Sequence, residues 1–436
     1  MAKPAINRDF EQRPYWWATM PSLPDRSGRQ LPDTADAVVV GGGYTGIAAA
    51  RKLALQGART VVLEANTLGW GASTRNGGII HPGYKWGVRT LQKRYGAQLG
   101  RELFLDTMRA WDFLTGLVKD QKIECELRVT GQLELAWAAS HFRAYEDEVA
   151  ELAEVGRTAT IVPKSRLRDE IGTDAYYGGL VVEGAGVLHP GKWFAALVGL
   201  AERAGAELHE GVRARRIRRQ ADGRFVVETD RGAILARDVL VATNGYVDGV
   251  VPALRRRIVP LGSYIIATEP LPEDLARDVS PRNRMIFDSK NFLYYFRLTP
   301  DRRMLFGGRA GFVPETPNTV RESGEILRRG MLGVYPQLRD AKVEYAWGGT
   351  LDFAFDMMPH AGKLDGLYYA LGYAGHGVAL ATYLGTRMAD AILGGGLREN
   401  PFAALPFPGA PLGLYYGTPW FLPFAGAWYK FLDWIG

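Results

Sequence analysis

The apolar and polar positions near the start of the chain predict a strand, a helix and a second strand. Residues 36–40 form an apolar run that ends in glycines, residues 47–55 have the small side chains of a closely packed helix, and residues 60–63 form a second apolar run. Short apolar runs bounded by turn residues are typical of buried strands. The pattern therefore predicts a βαβ unit.

The pattern that follows is first helical and then rich in strands. Leucines at amphipathic spacing predict helices from about 88 to 155, around a strand near 126–137, and a further helix is predicted at 189–205. Strands are predicted next, at 209–218, 224–229 and 233–243. Between about 256 and 346 strand follows strand, which is typical of an antiparallel sheet. A strand, a glycine turn and a helix then return, at 367–371, 372–377 and 378–393.

Composition and charge limit the class of protein. Of 436 residues, 47% are hydrophobic, and 53 basic residues face 47 acidic ones, so the net charge of +6 is a thin excess. The basic runs 213–219 and 255–257 are explained by solvated strand edges and turns, and we expect no nucleic acid as partner.

Cysteine, histidine and terminal patterns argue against disulfides, metals and membrane spans. Cys125 is the single cysteine, and the six histidines have no metal-ligand spacing, so we expect no metal. Residues 1–15 lack the apolar core of a signal peptide, and the aromatic segment 420–434 is too short to span a bilayer. The expected location is the cytoplasm.

A glycine-rich motif follows the first strand. Gly41, Gly43 and Gly46 form a GxGxxG sequence, in which the glycines permit a tight turn, a close approach to a pyrophosphate and close helix packing. Glu64 ends the second strand at the spacing from which a carboxylate reaches ribose hydroxyls and repels a 2′-phosphate. FAD or NAD therefore fits, and NADP does not.

Two more glycine-rich segments favour a flavin. Residues 68–78 form a loop where a nicotinamide dehydrogenase would continue into another βα unit, although a long surface loop is the alternative. Residues 372–377 lead into a helix whose N-terminal amides would face the negative charge of a reduced flavin.

These three segments together resemble the D-amino-acid oxidase and glycine oxidase superfamily of FAD-dependent oxidoreductases, from about residue 36 to 395. Residues 239–246 are similar to the strand that closes over the nucleotide, and residues 186–190 to the segment entering a cofactor-domain helix. Within the superfamily, this sequence most resembles the γ-glutamylputrescine oxidase-like branch, in segments 71–78, 294–301 and 358–362.

The predicted fold is α/β (α+β), with a Rossmann-like FAD-binding domain that is discontinuous in sequence and an inserted antiparallel-sheet substrate domain. The FAD-binding domain is assigned to 36–87, 186–255 and 346–395. The substrate or cap domain is assigned to 88–185 and 256–345, and an aromatic tail, packing on the body or on a partner, to 396–436.

The resemblance implies noncovalent FAD. Asn76 stands where relatives with covalent flavin have a histidine, and Cys125 is far from the late cysteine that others use. The implied cofactor-binding residues are Gly41, Gly43, Tyr44, Thr45, Gly46, Glu64, Gly71, Ala72, Ser73, Arg75, Asn76, Gly77, Gly78, Ala214, Thr243, Asn244, Gly245, Gly348, Gly375, His376, Gly377 and Val378.

The resemblance also bears on the substrate. In glycine oxidase-like enzymes an arginine pairs with the α-carboxylate, and Leu351 occupies that position here, so an amine is favoured over an α-amino acid. Arg75 or Arg297 is an alternative carboxylate partner. Asp352 and Asp356 are candidates for binding a cationic substrate end, with a cap or turn role as the alternative.

Five further residues are candidates for the chemistry. Hydride transfer from a neutral amine needs a fixed orientation and a dry aromatic pocket. Candidates for the wall of this pocket are Tyr264, Tyr294 and Trp347, with a place in the hydrophobic core as the alternative. A positive charge near the flavin would favour electron transfer to O2, and Lys290 and His81 are candidates, with an exposed turn and loop packing as the alternatives.

The expected activity is that of an FAD-dependent amine oxidase. A primary or secondary amine of the putrescine-derivative or alkylamine type would become an imine that hydrolyses to an aldehyde, while O2 is reduced to H2O2. One alternative is a dehydrogenase that passes electrons to a quinone or a carrier protein. Another is an FAD-binding protein that binds or modifies RNA. A homodimer is left open.

Overall fold

The computed structural model describes residues 10–308, 316–397, 400–424, 426 and 428. Its strands follow in chain order as β1 (Thr34–Val40), β2 (Thr60–Leu63), β3 (Ile79–Ile80), β4 (Arg128–Val129), β5 (Gln132–Leu135), β6 (Ala159–Pro163), β7 (Gly178–Val182), β8 (Gly186–Val187), β9 (Glu207–His209), β10 (Ala214–Arg219), β11 (Phe225–Thr229), β12 (Gly232–Val241), β13 (Ile258–Pro270), β14 (Met285–Asp288), β15 (Tyr294–Leu298), β16 (Arg303–Gly308), β17 (Val343–Ala354), β18 (His360–Leu364) and β19 (Leu367–Leu371).

The helices cover the sheets that these strands form. In chain order they are α1 (Tyr15–Thr19), α2 (Tyr44–Leu55), α3 (Val88–Tyr95), α4 (Ala97–Asp120), α5 (Ala139–Ala153), α6 (Pro190–Arg203), α7 (Pro252–Arg255), α8 (Glu273–Val279), α9 (Pro317–Val334) and α10 (Gly377–Asp390).

One sheet contains the predicted βαβ unit. Its strand order is β10-β11-β12-β1-β2-β9, with β19 beside the end of β12 and β18 beside β19. Strands β12, β1, β2 and β9 run parallel, while β10 and β11 form an antiparallel extension. Their buried valines explain the continuous apolar runs, because a central parallel strand is covered on both faces.

The second sheet is mainly antiparallel and has the order β17-β13-β16-β15-β14-β5-β7-β6. The strands predicted between about 256 and 346 do pair antiparallel with one another, and β5, from outside that range, joins the sheet parallel to β14. The strand predicted near 126–137 is divided into β4 and β5 by Gly131, which has φ +68°. Such a left-handed conformation favours glycine and interrupts strand pairing.

The predicted domain boundary at residue 346 falls inside a strand. Strand β17 pairs with β13 from Val343 opposite Thr268 to Ala354 opposite Ile258. Residues 346–354 therefore belong to the second sheet and not to the nucleotide sheet. The sequence was ambiguous because Trp347-Gly348-Gly349 has the composition of a turn.

The tail packs on the body over its described part. The hydroxyl of Tyr415 donates to the carbonyl of Ile258 at 2.7 Å, and Leu422 lies in the same apolar cluster. Within the described ranges every helix is too short or too polar to cross a lipid bilayer. The same residues contain no group of His, Cys, Asp and Glu side chains that could hold a metal ion.

Helices α2 and α10 pack at unusually close range next to the glycine motif. Gly385 of α10 faces α2, and a Cβ at this position would overlap the carbonyl oxygen of Thr45. Only glycine allows this separation between the two backbones, because the obstacle is main chain and not a movable side chain. The start of α2 is therefore held in place by α10.

We expect Gly385→Ala to lower the free energy of unfolding by about 2 kcal/mol, because the helices must separate. Chemical denaturation measures the change. Gly116→Ala is the matched control, since Gly116 lies inside α4 and its Cβ would enter open space. The control should gain roughly 0.5–1 kcal/mol. Equal effects of the two substitutions would contradict the packing argument.

Candidate FAD and substrate site

A cavity of about 320 Å³ lies at the carboxyl ends of β1 and β2. It is lined by parts of all three glycine-rich segments, including Gly41, Gly43, Ser73, Gly375 and Gly377. In a parallel sheet this edge is where nucleotides bind, since the following helix directs its free amides toward it. The three segments predicted to surround one cofactor therefore meet at one site.

Glu64 and Ser73 fix the glycine turn from two sides. The Glu64 carboxylate accepts hydrogen bonds from the amides of Gly42 at 2.9 Å and Asn66 at 2.8 Å. Burial raises the pKa of Glu64. The Ser73 hydroxyl accepts from the amide of Tyr44 at 2.9 Å. Gly41 has φ +110°, and a Cβ there would lie 2.6 Å from the carbonyl oxygen of Ala242, so a side chain is excluded.

The polar groups of this cavity fit a dinucleotide. The side-chain oxygens of Thr243 and Asn244 are buried without a hydrogen-bond partner among the described residues, and both residues line the cavity. Helix α2 begins after Gly43 with no side-chain cap. Such unsatisfied groups are costly unless a ligand pairs with them. The residues therefore suit FAD.

A second cavity of about 630 Å³ adjoins the first. The walls of the second cavity that lie away from the first include residues of the second sheet and of helices α4 and α5. Both cavities are lined by Ala72, Asn76, Leu351, Gly375 and Val378. A group bound in the first cavity would therefore reach the second one at this shared wall.

Tryptophan side chains clamp the loop 71–78, which lines both cavities. The indole of Trp16 donates to the carbonyl of Asn76 at 2.8 Å, and that of Trp347 donates to the carbonyl of Arg75 at 2.9 Å. Trp17 donates to the Thr74 hydroxyl at 2.7 Å. Trp16 and Trp17 could not be predicted from sequence, because no local pattern links α1 to a loop about 60 residues away.

Two arginines that were candidates for binding a substrate carboxylate donate hydrogen bonds to main-chain carbonyls instead. Arg297 donates to the carbonyls of Gly77 and Leu188, both at 2.8 Å, and burial lowers its pKa to about 9. Arg75 donates to the carbonyls of Trp70 at 2.7 Å and Gly348 at 2.9 Å. The structure therefore gives both guanidinium groups a role in fixing the loop.

The comparison with known families decides the class. Residues 36–391 match the family described as FAD dependent oxidoreductase, abbreviated DAO. The chain belongs to the DAO family. The predicted FAD cofactor and the α/β fold class are thereby confirmed. In keeping with noncovalent binding, the Asn76 side chain is hydrogen-bonded within its own loop, to Ala72, Ser73 and Gly78.

Relatives within the DAO family cover nearly the whole chain. The γ-glutamylputrescine oxidoreductase of Escherichia coli K12 is 32% identical over 406 residues, which is 92% of this chain and 94% of that protein. The probable oxidoreductase OrdL of Rhizobium meliloti is 32% identical over 429 residues, 96% and 97% of the two chains. The glycine oxidase structure from Geobacillus kaustophilus has a TM-score of 0.71 at 20% identity, covering 87% of this chain and 100% of that one.

Lys290 and His81 both line the second cavity of this DAO family member. Lys290 is not an exposed turn residue: its ammonium lies 3.0 Å from the Asp288 carboxylate and above the rings of Trp137 and Tyr294. His81 packs against the ring of His376, with ring centres 5.0 Å apart. Burial lowers the pKa of His81 to about 3, so the imidazole is neutral and supplies no positive charge.

The three aromatic wall candidates lie elsewhere. Tyr264 is in the core of the second sheet, Trp347 packs beside Trp16, and Tyr294 borders that core beneath Lys290. The core interpretation is the right one, because these strands present alternate residues to opposite faces. Tyr295, one residue along from Tyr294, lines the second cavity instead.

The two aspartates also have structural contacts. Asp352 lines the first cavity, and its carboxylate accepts from the amide of Gly372. Burial raises its pKa to about 6. Asp356 accepts from the amide of Met358 at 3.1 Å and lies 3.0 Å from the ring of His360. These contacts support the cap or turn role that the sequence left open beside the binding of a substrate cation.

Most of the predicted cofactor-binding residues line the first cavity. These are Gly41, Gly43, Tyr44, Thr45, Glu64, Gly71, Ala72, Ser73, Asn76, Ala214, Thr243, Asn244, Gly375, Gly377 and Val378. Others line only the second cavity, namely Arg75, Gly77 and His376. Gly46, Gly78 and Gly245 instead pack closely against neighbouring main chain, and the carbonyl of Gly348 accepts from the Arg75 guanidinium. Lining residues that the sequence analysis missed include Trp70, Val212, Arg213, Tyr246 and Tyr373.

We expect Arg297→Lys to weaken FAD binding, because lysine cannot donate in parallel to the carbonyls of Gly77 and Leu188. Losing one charged hydrogen bond to a buried carbonyl should raise the dissociation constant by about 10-fold or more. Fluorescence titration of the apoprotein with FAD measures it. Arg219→Lys, on the exposed strand β10, is the control. An unchanged affinity in Arg297→Lys would contradict the clamp.

Proposed function

We propose that this DAO family protein is an amine oxidase that acts on a primary or secondary amine of the putrescine-derivative type. The amine becomes an imine, which water hydrolyses to an aldehyde and an amine or ammonia, and O2 is reduced to H2O2. The single observation that carries the proposal is the cavity of about 630 Å³ that shares its wall with the FAD cavity. Bound FAD would accept a hydride, that is one proton with two electrons, from the carbon next to the nitrogen, and the nitrogen would lose a proton.

The residues around the shared wall support an amine rather than an α-amino acid. Leu351 replaces the arginine expected for carboxylate binding and lines both cavities. Arg75 and Arg297 are engaged with main-chain carbonyls. Apolar and aromatic side chains such as Phe287 and Tyr295 line the second cavity and exclude water from a bound amine. The similarity to γ-glutamylputrescine oxidoreductase points to the same substrate class.

Lys290 is proposed to assist oxygen reduction. Its ammonium is part of the cavity wall and is held by Asp288 and two aromatic rings, so its position is fixed before any ligand binds. A fixed positive charge stabilises negative charge that develops during electron transfer. The neutral His81 orients neighbouring rings instead.

The basic runs give no specific support to RNA binding. On the edge strand β10 and beside it, Arg213 pairs with Asp248 at 2.9 Å and Arg215 with Asp230 at 3.6 Å. Arg218 also pairs with Glu228. These pairs reduce the positive field that a nucleic acid would need.

Anaerobic mixing with a panel of alkylamines, putrescine, γ-glutamylputrescine and α-amino acids tests the proposal. We expect the amines to bleach the flavin absorbance faster than any α-amino acid does, and H2O2 to form on admission of air. Bleaching without peroxide would favour the dehydrogenase alternative. Bleaching by α-amino acids alone, or by nothing in the panel, would contradict amine oxidation.

We expect Lys290→Met to slow reoxidation of the reduced enzyme by O2 by roughly 10- to 100-fold, because a fixed positive charge is removed. Stopped-flow absorbance after anaerobic reduction measures the rate. Lys290→Arg keeps the charge and serves as the comparison. If methionine and arginine variants reoxidise at the wild-type rate, Lys290 has no role in the oxygen reaction.

A further inference from the structure

On walls that the FAD cavity does not share, the second cavity has side-chain oxygens with no donor side chain in contact among the described residues. Gln132 and Glu134 lie on β5, and Glu148 lies on α5; all three line the second cavity. Gln132 and Glu134 are two residues apart in a strand, so their side chains project from the same face of the sheet. Two elements thus bring one amide and two carboxylates to one side of the cavity.

The buried side-chain amide of Gln132 is the first observation that indicates a ligand in this part of the second cavity. Its side chain is only 6% exposed, and its Oε1 is buried without a donor among the described residues. A buried acceptor that lacks a donor costs free energy. A ligand with N–H groups would remove this cost.

The carboxylates of Glu134 and Glu148 are also without a charged partner in contact among the described residues. Neither Glu134 nor Glu148 forms an ion pair with any basic side chain in the described ranges. Burial, together with the neighbouring charge of Glu148, raises the pKa of Glu134. Burial, together with the charge of Glu151, raises the pKa of Glu148. A cation between them would relieve both the desolvation and the repulsion.

Of the basic groups that line the cavity, Arg157 is close enough to Glu148 for its positive charge to lower the pKa of that carboxyl, although burial raises this pKa by more. Arg157 donates to the carbonyls of Pro82 at 3.1 Å and Glu183 at 2.8 Å, and Lys290 pairs with Asp288 at 3.0 Å. Arg75 is committed to the loop described above, and Lys85 also lines the cavity. Toward the same side, Asp147 and Glu151 add further negative charge.

We propose that Gln132, Glu134 and Glu148 bind a second ammonium group of the substrate, remote from the nitrogen that is oxidised. An ammonium has three donors, which match one amide oxygen and two carboxylates. The substrate class is then an amine with a second cationic end, such as a diamine or an aminoacyl derivative of a diamine. This inference rests on the proposed amine oxidation and specifies its substrate.

Matched pairs of amines test the site in the FAD-loaded enzyme. γ-Glutamylputrescine is compared with N-glutarylputrescine, which lacks only the α-ammonium, and putrescine is compared with pentylamine, which replaces the distal ammonium by a methyl group. We expect wild-type kcat/KM to favour the ammonium-bearing member of the pair that is oxidised by roughly 10- to 100-fold. The preference should fall to about threefold or less in Glu134→Gln and Glu148→Gln, mainly through KM.

Glu146→Gln is the control, because Glu146 is an exposed residue of the same helix as Glu148. It should keep the wild-type preference. Without any amine, Glu134→Gln should melt at or above the wild-type temperature at pH 8, because a buried carboxylate without a cationic partner has been removed. A much lower melting temperature would mean that Glu134 supports the fold, and would overturn its assignment to substrate.

Binding is measured separately from oxidation, so that the two proposals can fail separately. If no amine bleaches the flavin, the proposal of amine oxidation is contradicted. The rise in melting temperature that each amine causes still measures binding at the proposed ammonium site. A larger rise with the ammonium-bearing member in wild type than in Glu134→Gln supports the site. Equal rises within each pair, or a preference that both glutamine variants keep, would overturn it.

Discussion

The loop 71–78 is the part of the structure on which the two cavities depend. It contributes lining residues to both, and its glycines gain nothing from side-chain packing and lose the most entropy on ordering. The internal hydrogen bonds of Asn76 are therefore supplemented from outside, by the indoles of Trp16, Trp17 and Trp347 and by the buried guanidinium of Arg297. Charged and neutral donors thus satisfy carbonyls that would otherwise be orphaned near the cofactor.

In this arrangement, charged side chains that are suited to catalysis or ligand binding have structural roles. A buried arginine beside a flavin-binding loop is an obvious carboxylate ligand, yet Nε and Nη2 of Arg297 donate to main-chain carbonyls. Asp352 is similar, since its carboxylate caps the turn that begins at Gly372 and so positions the third glycine-rich segment. Buried charge here stabilises the walls, and the residues proposed to recognise the substrate lie on the second sheet and α5.

Local signals explain which parts of the fold and site could be predicted from sequence. The βαβ unit, Glu64 and the three glycine-rich segments each carry their information within a few residues, and the structure brings them together at one cavity. The domain boundary at 346 was wrong because a strand with consecutive glycines resembles a turn, and only its partner β13 shows that it is paired. The clamp by Trp16 and Trp347 was missed because its partners are 60 and 272 residues apart.

The same limit explains why the sequence left open which face the aromatic residues occupy, and why the acidic wall was not found. Period-two alternation says that Tyr294 and Tyr295 point to opposite sides, but it does not say which side is the cavity. Glu134 likewise looks like one polar position in a short strand until β5 is placed between β14 and β7, opposite α5 and Glu148. Among the described residues Lys290 is paired with Asp288, whereas neither Glu134 nor Glu148 is in ion-pair contact with a basic side chain. The proposed preference for a second cationic group rests on these two carboxylates, which only the tertiary structure brings to one cavity.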